Sequence, residues 1–502
     1  MALRRLAWML AVTTAMSTSL VGGCAISPLE LSQDELSVIA SEKLASVTAG
    51  QEAVSGPVDL YEAMARALKY NLDHQVELAE QAVRERELHL SHFSLLPTAV
   101  AGSGYAARDR YSASNSVNVI TGTQSLATST SQDKRLRTSD IEFSWNVLDF
   151  GLSYVKARQA ADKVLIQNEL RRKIALRIME DTRAAFWRAV SAQRLLGKLQ
   201  RVEADARAVE AEARRLATDQ QTSQITALTY EREIVEIQRT IGELTRELNT
   251  ALAELGALMN VAPGTVYRVT GTARPLPRLP GSNMAELVHM AVMNRPELKE
   301  VQYRRRINEH EAHAALLEML PGVSLVAGSN YDSNSFLLHN DWTNWGARAS
   351  WNLLKVFAYP ARREVIEEQD AMLQTKSLAV TMAIMTQVYV SRIRFAHAIK
   401  EHRIARKFRD VQNDLLTQIR TEANAGRVAR QTLVREELNA VVAEAKLDIA
   451  YAAVQSAYAN IETSLGLDPF GGFAPGEADV KGIAATLREA RQGRMTTASA
   501  GQ

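Results

Sequence analysis

Residues 141–148 read IEFSWNVL and residues 347–354 read ARASWNLL, and each Ser-Trp-Asn ends a stretch in which apolar and polar side chains alternate. An alternation with a period of two is typical of a strand that has one apolar face. The two stretches lie 206 residues apart (351 − 145), which indicates that the chain contains one unit twice. Each copy of such a repeat needs a neighbour to bury its apolar face.

A second set of marks precedes the alternating stretches, with an offset of 224 residues (321 − 97). The marks are Leu60, Glu62, Ala67, Leu68 and Pro97 in the first copy, and Met284, Glu286, Ala291, Val292 and Pro321 in the second. The copies therefore differ by a net deletion of 18 residues (224 − 206) before Ser-Trp-Asn. The predicted organisation is a first repeat over 58–263, a connector over 264–283, a second repeat over 284–469 and a partly disordered tail over 470–502.

Each copy is predicted to contain two strands, around 98–111 and 141–147 in the first and around 323–331 and 345–353 in the second. Strands of about ten residues with one apolar side are typical of transmembrane β-barrels, although a water-soluble sandwich shows the same alternation. Four strands cannot close a membrane barrel, for which about eight is the smallest number, and an open edge in lipid leaves backbone groups unpaired. Strands in a membrane would therefore require subunits that share one barrel.

Long helices are predicted after the strands. Residues 361–425 contain no Gly or Pro and would extend about 98 Å as one helix, and residues 152–196 are likewise free of both. The returning helices carry a heptad seam, formed by Ile237, Ile241, Leu244, Leu248, Ala251 and Leu255 and, 206 residues later, by Ala443, Leu447, Ala450, Val454, Ala457 and Ile461. Such a seam predicts coiled-coil packing. The turns of the two hairpins fall around 218–224 and 424–430, at the end remote from the strands.

One helix is predicted before the first strand, over 58–96, with Asp59 as its N-cap and Glu62 completing a capping box. The composition also favours a mainly helical protein, with only 12 Pro in 502 residues. Charge is nearly balanced, with 59 Lys and Arg against 57 Asp and Glu. Basic clusters such as 304–306 lie within amphipathic helical sequence, which favours a solvated helix face over nucleic-acid binding.

The start of the chain has the pattern of an export signal, with Arg4 and Arg5 before an apolar run over 6–21. Small residues then precede Cys24, the only cysteine, and resemble the lipobox of bacterial lipoproteins. This resemblance implies a signal peptide over 1–23, lipid attachment with palmitate at Cys24, and a lipidated linker over 24–57. Ala25 in place of Asp favours sorting to the outer membrane. The alternative is a buried or incidental thiol.

Taken in order, these features resemble the outer-membrane factors of the TolC family, in their lipoprotein branch. The marks are Glu62, Ala67, Leu68 and Asn71 with the parallel Glu286, Ala291, Val292, Pro296 and Glu297, both Leu-Pro pairs, Leu148-Asp149-Phe150-Gly151, and Gly426. The resemblance implies a homotrimer with a twelve-stranded membrane β-barrel, four strands per subunit, continuous with a periplasmic α-barrel of long helical hairpins. It further implies a bacterial outer-membrane channel that works with a periplasmic adaptor (membrane fusion) protein and an inner-membrane transporter.

The same resemblance assigns candidate site residues at the far end of the hairpins. Adaptor docking would involve Thr222, Ser223, Gly426, Arg427 and Val428, and the pore constriction Thr432 and Arg435. Three copies of Arg435 around one pore would repel cations. Alternatively, Arg435 pairs with a neighbouring acidic residue such as Glu436 or Glu437.

Other functions are weighed against the channel. No nucleophile, base and orienting group are grouped as in an enzyme, and residues 102–104 (Gly-Ser-Gly) lie in a strand, where they do not form a phosphate loop. His89 with His92 and His310 with His313 could present metal ligands, but no carboxylate or cysteine set accompanies them, so solvent-facing histidines are favoured and neither metal nor cofactor is expected. The remaining alternatives are the exit duct of a type I protein secretion system and a non-conducting structural coiled-coil lipoprotein, which would not need the paired strands.

Overall fold

The computed structural model describes residues 29–218, 224–271, 276–279, 283–467 and 478–500. The chain divides into two units, residues 1–53 and residues 54–502. The described part of the first unit contains helix α1 (Gln33–Ser46), which begins with a capping box between Ser32 and Glu35. The second unit contains both repeats.

In chain order, the described part of the second unit contains α2 (Leu60–Tyr70), α3 (Leu72–Phe93), β1 (Thr98–Ala107), β2 (Ala113–Ser114), β3 (Ser129–Thr130), β4 (Arg135–Asn146), α4 (Val147–Thr218), α5 (Gln224–Leu258), α6 (Met284–Asn294), α7 (Pro296–Leu317), β5 (Gly322–Asp332), β6 (Asp341–Ser350), α8 (Leu353–Asn424), α9 (Arg430–Ser464) and α10 (Val480–Ala500). The predicted mainly helical fold with two strands in each repeat is confirmed. The polar loop after β1 also contains the small hairpin β2–β3.

The strands form one antiparallel sheet in the order β1-β4-β5-β6. Thr98 pairs with Ser144 in the first repeat, and Gly322 pairs with Ser350 in the second. These pairs are related by the two offsets found in the sequence, since 322 − 98 is 224 and 350 − 144 is 206. Both repeats therefore pair their strands in the same register, and the β4–β5 pairing joins the two copies.

The long helices begin immediately after the strands, and earlier than predicted. Helices α4 and α8 each have 72 residues, about 108 Å at 1.5 Å per residue. The Asn of each Ser-Trp-Asn accounts for the early start, because the side chains of Asn146 and Asn352 accept hydrogen bonds from the backbone N–H groups of Leu148 (3.0 Å) and Leu354 (3.2 Å). Helix α8 also continues through Pro360 in its second turn, although proline has no N–H to donate to the helix.

The helix predicted over 58–96 is two helices. Asp59 caps the first, as expected, by accepting from the N–H groups of Tyr61 and Glu62, but the Glu62 side chain pairs with Arg66. The break falls at Asn71, whose backbone is extended. Its side chain accepts from the N–H groups at positions 73 and 74 and so starts α3. The second repeat breaks at Arg295, again between two helices.

The long helices lie side by side as a wall. In the half next to the sheet, α3 packs on α4, α4 on α7 and α7 on α8, in the same order as the strands they connect to. In the half remote from the sheet, α5 packs on α4, α4 on α9 and α9 on α8. The predicted heptad seams lie inside this packing, where Ile241, Leu255, Ala443 and Val454 are fully or almost fully buried.

The middle of the wall carries the largest apolar core, which includes α2, α10 and the aromatic residues Phe186, Trp187 and Tyr451. Helix α10 lies in the predicted tail, and its Ile483 and Leu487 are buried against this core. The segments between α5 and α6 add Val269, which forms an isolated bridge with Val58. No helix in the described residues combines the length and apolar character needed to cross a membrane.

Candidate functional site

The sheet has one apolar and one polar face. The register places Phe143 between Ala99 and Ala327 on one face of the sheet. Ala327 in turn pairs with Trp345 of β6, which lies on the same face. Trp345 is 88% exposed, and Ile141 and Phe143 are also more than half exposed. Since a soluble sheet buries such a face, an apolar surface of this kind indicates contact with lipid or protein.

The opposite face is polar and holds several glycines. Asp140 lies across from Gly102, and a Cβ at Gly102 would stand 2.6 Å from the Asp140 carboxylate. Glu142 lies across from Gly328, which has a similarly crowded position beside Asn344. The glycines thus give room to the polar side chains of the neighbouring strand, and the face as a whole fits contact with water.

Both edges of the sheet are open in the described chain, because β1 pairs only with β4 and β6 pairs only with β5. The long helices that connect to the strands likewise leave surfaces without a neighbour. Among the described long helices, α3 packs on α4, α5 packs mainly on α4 with a smaller contact to α9, and α8 leaves an apolar stripe uncovered. The stripe is formed by Phe357, Val365, Met372, Leu378, Met382 and Tyr389, all exposed.

The tip of the second hairpin is a helix end with a defined hydrogen-bond pattern. Gly426 has φ of +72°, and its N–H donates to the carbonyl of Ala423 while that of Arg427 donates to the carbonyl of Glu422 (2.9 Å). This is the Schellman motif, which favours glycine at the left-handed position. Gly426 and Arg427 are exposed and Val428 is half-buried. Thr222 and Ser223, the candidates at the first tip, lie outside the described residues.

Arg435 lies three residues beyond Thr432 on α9, and its side chain is 45% exposed. Its guanidinium reaches Glu436 at 3.3 Å and Glu233 of α5 at 3.5 Å. It therefore links the second hairpin to the first. Glu437, the other acidic residue considered in the sequence, pairs with Arg420 of α8 at 2.9 Å.

Glu436 is the buried member of this group. Its carboxylate accepts from the side chains of Gln412 (2.7 Å) and Asn439 (3.2 Å) as well as from Arg435. Burial acts to raise the pKa of Glu436, but the hydrogen bonds from Asn439, Gln412 and Arg435 outweigh it and hold the pKa below its usual value. The carboxylate is thus kept ionised between the outgoing and returning helices of the second hairpin.

No protein-family model matches the chain, and no curated protein matches its sequence. Solved structures do match: the Campylobacter jejuni CmeC outer membrane channel superposes with a TM-score of 0.64 at 12% identity, covering 93% of this chain and 98% of that one. The open state of the Neisseria gonorrhoeae MtrE outer membrane channel gives 0.62 at 14% identity, covering 81% and 88%. CusC, described in terms of transmembrane channel formation, gives 0.63 at 16% identity, covering 84% and 96%.

The chain has the TolC-like outer-membrane channel fold. The predicted resemblance is confirmed at the level of fold, with the helical wall and the four-stranded sheet in the expected order. Cys24 and the export signal lie outside the described residues, so lipid attachment stays a prediction.

Within this channel fold, the middle of the wall is held by arginines that bind helix ends. Arg172 of α4 donates to the carbonyls of Asn294 (2.9 Å) and Gly466 (2.6 Å). Gly466 has φ of +63°, and a Cβ there would stand 2.8 Å from the carbonyl of Asn294. Sequence reasoning missed these contacts, because nothing in the local pattern links residues so far apart.

The four histidines considered as metal ligands are divided between two environments. His89 and His92 on α3 are exposed, with ring centroids 6.4 Å apart, as expected for solvent-facing residues. His310 is not solvent-facing: its Nε2 lies 3.5 Å from the buried carboxylate of Asp162, which also accepts from Arg306. In the part of the chain that the structure describes, no three His, Cys, Asp or Glu side chains are grouped to hold a metal.

Proposed function

We propose that the chain is one subunit of a homotrimeric outer-membrane channel, which conducts substrates from a periplasmic adaptor and an inner-membrane transporter out of the cell. The observation that carries this proposal is the sheet with an exposed apolar face, a polar face and two open edges, mounted on helices of 72 residues. A structural coiled coil would not require such a sheet.

Closure of the barrel supports the trimer. Four strands leave two edges whose backbone groups would be unpaired in lipid, at several kcal/mol each. Three copies supply twelve strands (3 × 4), an ordinary number for a membrane barrel. The apolar face would then contact lipid, and the face with Asp140 and Glu142 would line the water-filled lumen. The uncovered stripe on α8 would be covered by the next subunit.

The tips of the hairpins are the proposed docking surface for the adaptor. Gly426, Arg427 and Val428 form the described tip. Thr222 and Ser223, which lie outside the described residues, are the proposed contacts of the first hairpin. Thr432 and Arg435 follow the second tip and are the proposed constriction, where the ion pairs of Arg435 with Glu233 and Glu436 hold neighbouring hairpins together. Cys24 would carry the lipid that anchors the subunit to the outer membrane.

Single-channel conductance in a planar bilayer, with the mass of the purified protein in detergent, tests this function. A conducting trimer is the expected result. A monomer that never conducts would instead favour the non-conducting coiled-coil lipoprotein. Loss of resistance to small toxic compounds on gene deletion would indicate an efflux pump, whereas loss of a secreted protein from the medium would indicate type I secretion.

A further inference from the structure

The paired strands and the helices beside them correspond between the two repeats under two constant offsets, and the correspondence extends to their contacts. Adding 224 to the first residue numbers of β1 and α3 gives those of β5 and α7. Adding 206 to the first residue numbers of β4 and α4 gives those of β6 and α8. Within the chain, the first repeat meets the second where β4 pairs with β5 and α4 packs on α7. The free elements that correspond to this junction are β6 and α8 at one edge and β1 and α3 at the other.

We propose that β6 and α8 of one copy meet β1 and α3 of the next copy in the register of the β4–β5 and α4–α7 junction. This inference rests on the proposed oligomeric channel and adds the contacts between its subunits. Phe143 pairs with Ala327 within the chain. Applying the offsets (143 + 206 and 327 − 224), Ala349 pairs with Ser103 of the partner subunit.

The register keeps both faces of the sheet continuous across the new junction. Ala349 lies on the apolar face, and so does Ser103 of the partner subunit, which shares its face with Ala99. On the polar face, Glu142 lies across from Gly328 within the chain. The same offsets place Arg348 across from the partner subunit's Gly104, so a long charged side chain again faces a glycine. The β5–β6 pairing holds Arg348 on the polar face, so a slip by one residue between subunits would set it opposite a residue of the partner's apolar face, such as Ser103 of the partner subunit.

The helices supply charge complementarity in the same alignment. Within the chain, Asp162 of α4 contacts His310 and Arg306 of α7. The offsets carry Asp162 to Glu368 (162 + 206) and His310 to position 86 (310 − 224), which is Arg86 of the partner subunit. Glu368 is exposed, and so is residue 86 on α3. In the single chain, neither forms an ion pair with any described residue, so the opposite charges are free to pair between copies.

Apolar residues follow the same alignment. Gly151 of α4 faces Leu317 of α7, with 3.6 Å between the Leu317 side chain and the position of a Cβ on Gly151. The corresponding residues are Phe357 (151 + 206) and the partner's Phe93 (317 − 224), both exposed in the single chain. Helix α3 also exposes apolar side chains, at Val76, Val83, Leu90 and Phe93. The exposed stripe on α8 thus meets these residues of the next copy, and the second copy is the occupant that this surface fits.

A disulfide test reads the register directly. Cys24→Ala removes the only cysteine, and Ser103→Cys with Ala349→Cys is then expected to yield covalent dimers and trimers on oxidation of the assembled protein. The control pair, Ala99→Cys with Ala349→Cys, is four residues out of register, about 13 Å along the strand, and is expected to stay uncrosslinked. Crosslinking of the control pair in place of the test pair, in a protein that is still a conducting trimer, would overturn the register and leave the channel function standing.

A charge exchange tests the helices independently. Glu368→Arg alone and Arg86→Glu alone are each expected to lower the temperature at which the oligomer dissociates in detergent, because each places like charges together. The double variant restores the pair with its signs exchanged and is expected to recover most of that loss. Additive losses in the double variant would contradict the contact. A monomer in all variants and in the parent protein would contradict the proposed function itself.

Discussion

The guanidinium of Arg295 donates a hydrogen bond of 3.0 Å to the carbonyl of Thr463, in the last turn of α9. The equivalent residue of the first repeat is Asn71 (295 − 224), and its side chain donates to the carbonyl of Leu258 at the end of α5 (3.3 Å). In both repeats, the residue that breaks the entry helix therefore binds the end of the returning helix. The contact closes each repeat on itself in the middle of the wall.

Arg295→Ala is expected to lower the free energy of unfolding by about 3 kcal/mol. Arg295 is 7% exposed and also binds Glu297 and Gln387, so the truncation leaves a half-buried carboxylate and a helix-end carbonyl without their partner. Denaturant or thermal unfolding followed by circular dichroism measures the effect. Arg304→Ala is the matched control, because Arg304 pairs with Glu300 on the exposed side of α7, and its loss should change stability by less than about 0.5 kcal/mol. Equal losses of unfolding free energy in the two variants would show that the Arg295 contact contributes no more to stability than an exposed ion pair.

Replacing three glycines by alanine distinguishes the cost of backbone strain from the cost of steric overlap. Gly426→Ala introduces a side chain at φ of +72° with open space around it, so a loss of about 1 kcal/mol is expected. Gly466→Ala adds a collision with the backbone of Asn294 to a similar strain, and a loss of at least about 3 kcal/mol is expected. Gly197→Ala lies within helix α4 in open space and should stabilise by about 0.5 kcal/mol. Thermal unfolding of the three variants would rank them, and any other order would contradict this account.

Much of the fold follows from local sequence patterns, because period-two alternation and heptad spacing report which face of an element is buried. The strands and the seam through Ile241 and Leu255 were predictable on that basis. The break at Asn71 was not, since no Gly or Pro marks it and the capping residue has to be seen in its extended conformation. The ion pair between Arg435 and Glu233 could not be predicted either, because a heptad seam does not identify the helix against which α9 packs.

Acid is expected to weaken the second hairpin through Glu436. Its folded pKa lies below the ordinary value of about 4.3, so its stabilisation is fully present above that value and is lost as pH falls through the lower folded pKa. Glu436→Gln should reduce the fall in melting temperature between neutral pH and pH 3, while lowering stability at pH 7 by about 2 kcal/mol. Glu422→Gln, at an exposed pair with Arg427, is the control. An unchanged acid profile in Glu436→Gln would contradict the role of this carboxylate.

His402 should give a second pH dependence in a higher window. It is buried in α8 with its ring 5.9 Å from that of Tyr451, and burial, followed by the charge of Arg406, lowers the pKa of His402. Its stability contribution is therefore complete above the unfolded value of about 6.5 and is lost as pH falls through the interval down to the folded pKa.

The first repeat has Leu196 at the equivalent position (402 − 206). His402→Leu is therefore expected to fit and to raise the free energy of unfolding by about 1 kcal/mol at pH 6. It should also remove the pH dependence between 7 and 5, measured by melting temperature. Replacement of the exposed His397 by Leu should leave that dependence intact, and a parent protein whose stability is flat over this interval would contradict the prediction.

Ion selectivity distinguishes the two interpretations of Arg435. If its charge is neutralised by Glu233 and Glu436, as the distances of 3.5 and 3.3 Å indicate, Arg435→Ala uncovers two carboxylates per subunit and the channel should become more cation-selective. Glu233→Gln should shift selectivity towards anions, and the double variant should return near the parent value. Reversal potentials in a salt gradient measure all three. If Glu233→Gln left selectivity unchanged while Arg435→Ala altered it, Arg435 would act on the pore alone, as an unpaired charge at the constriction.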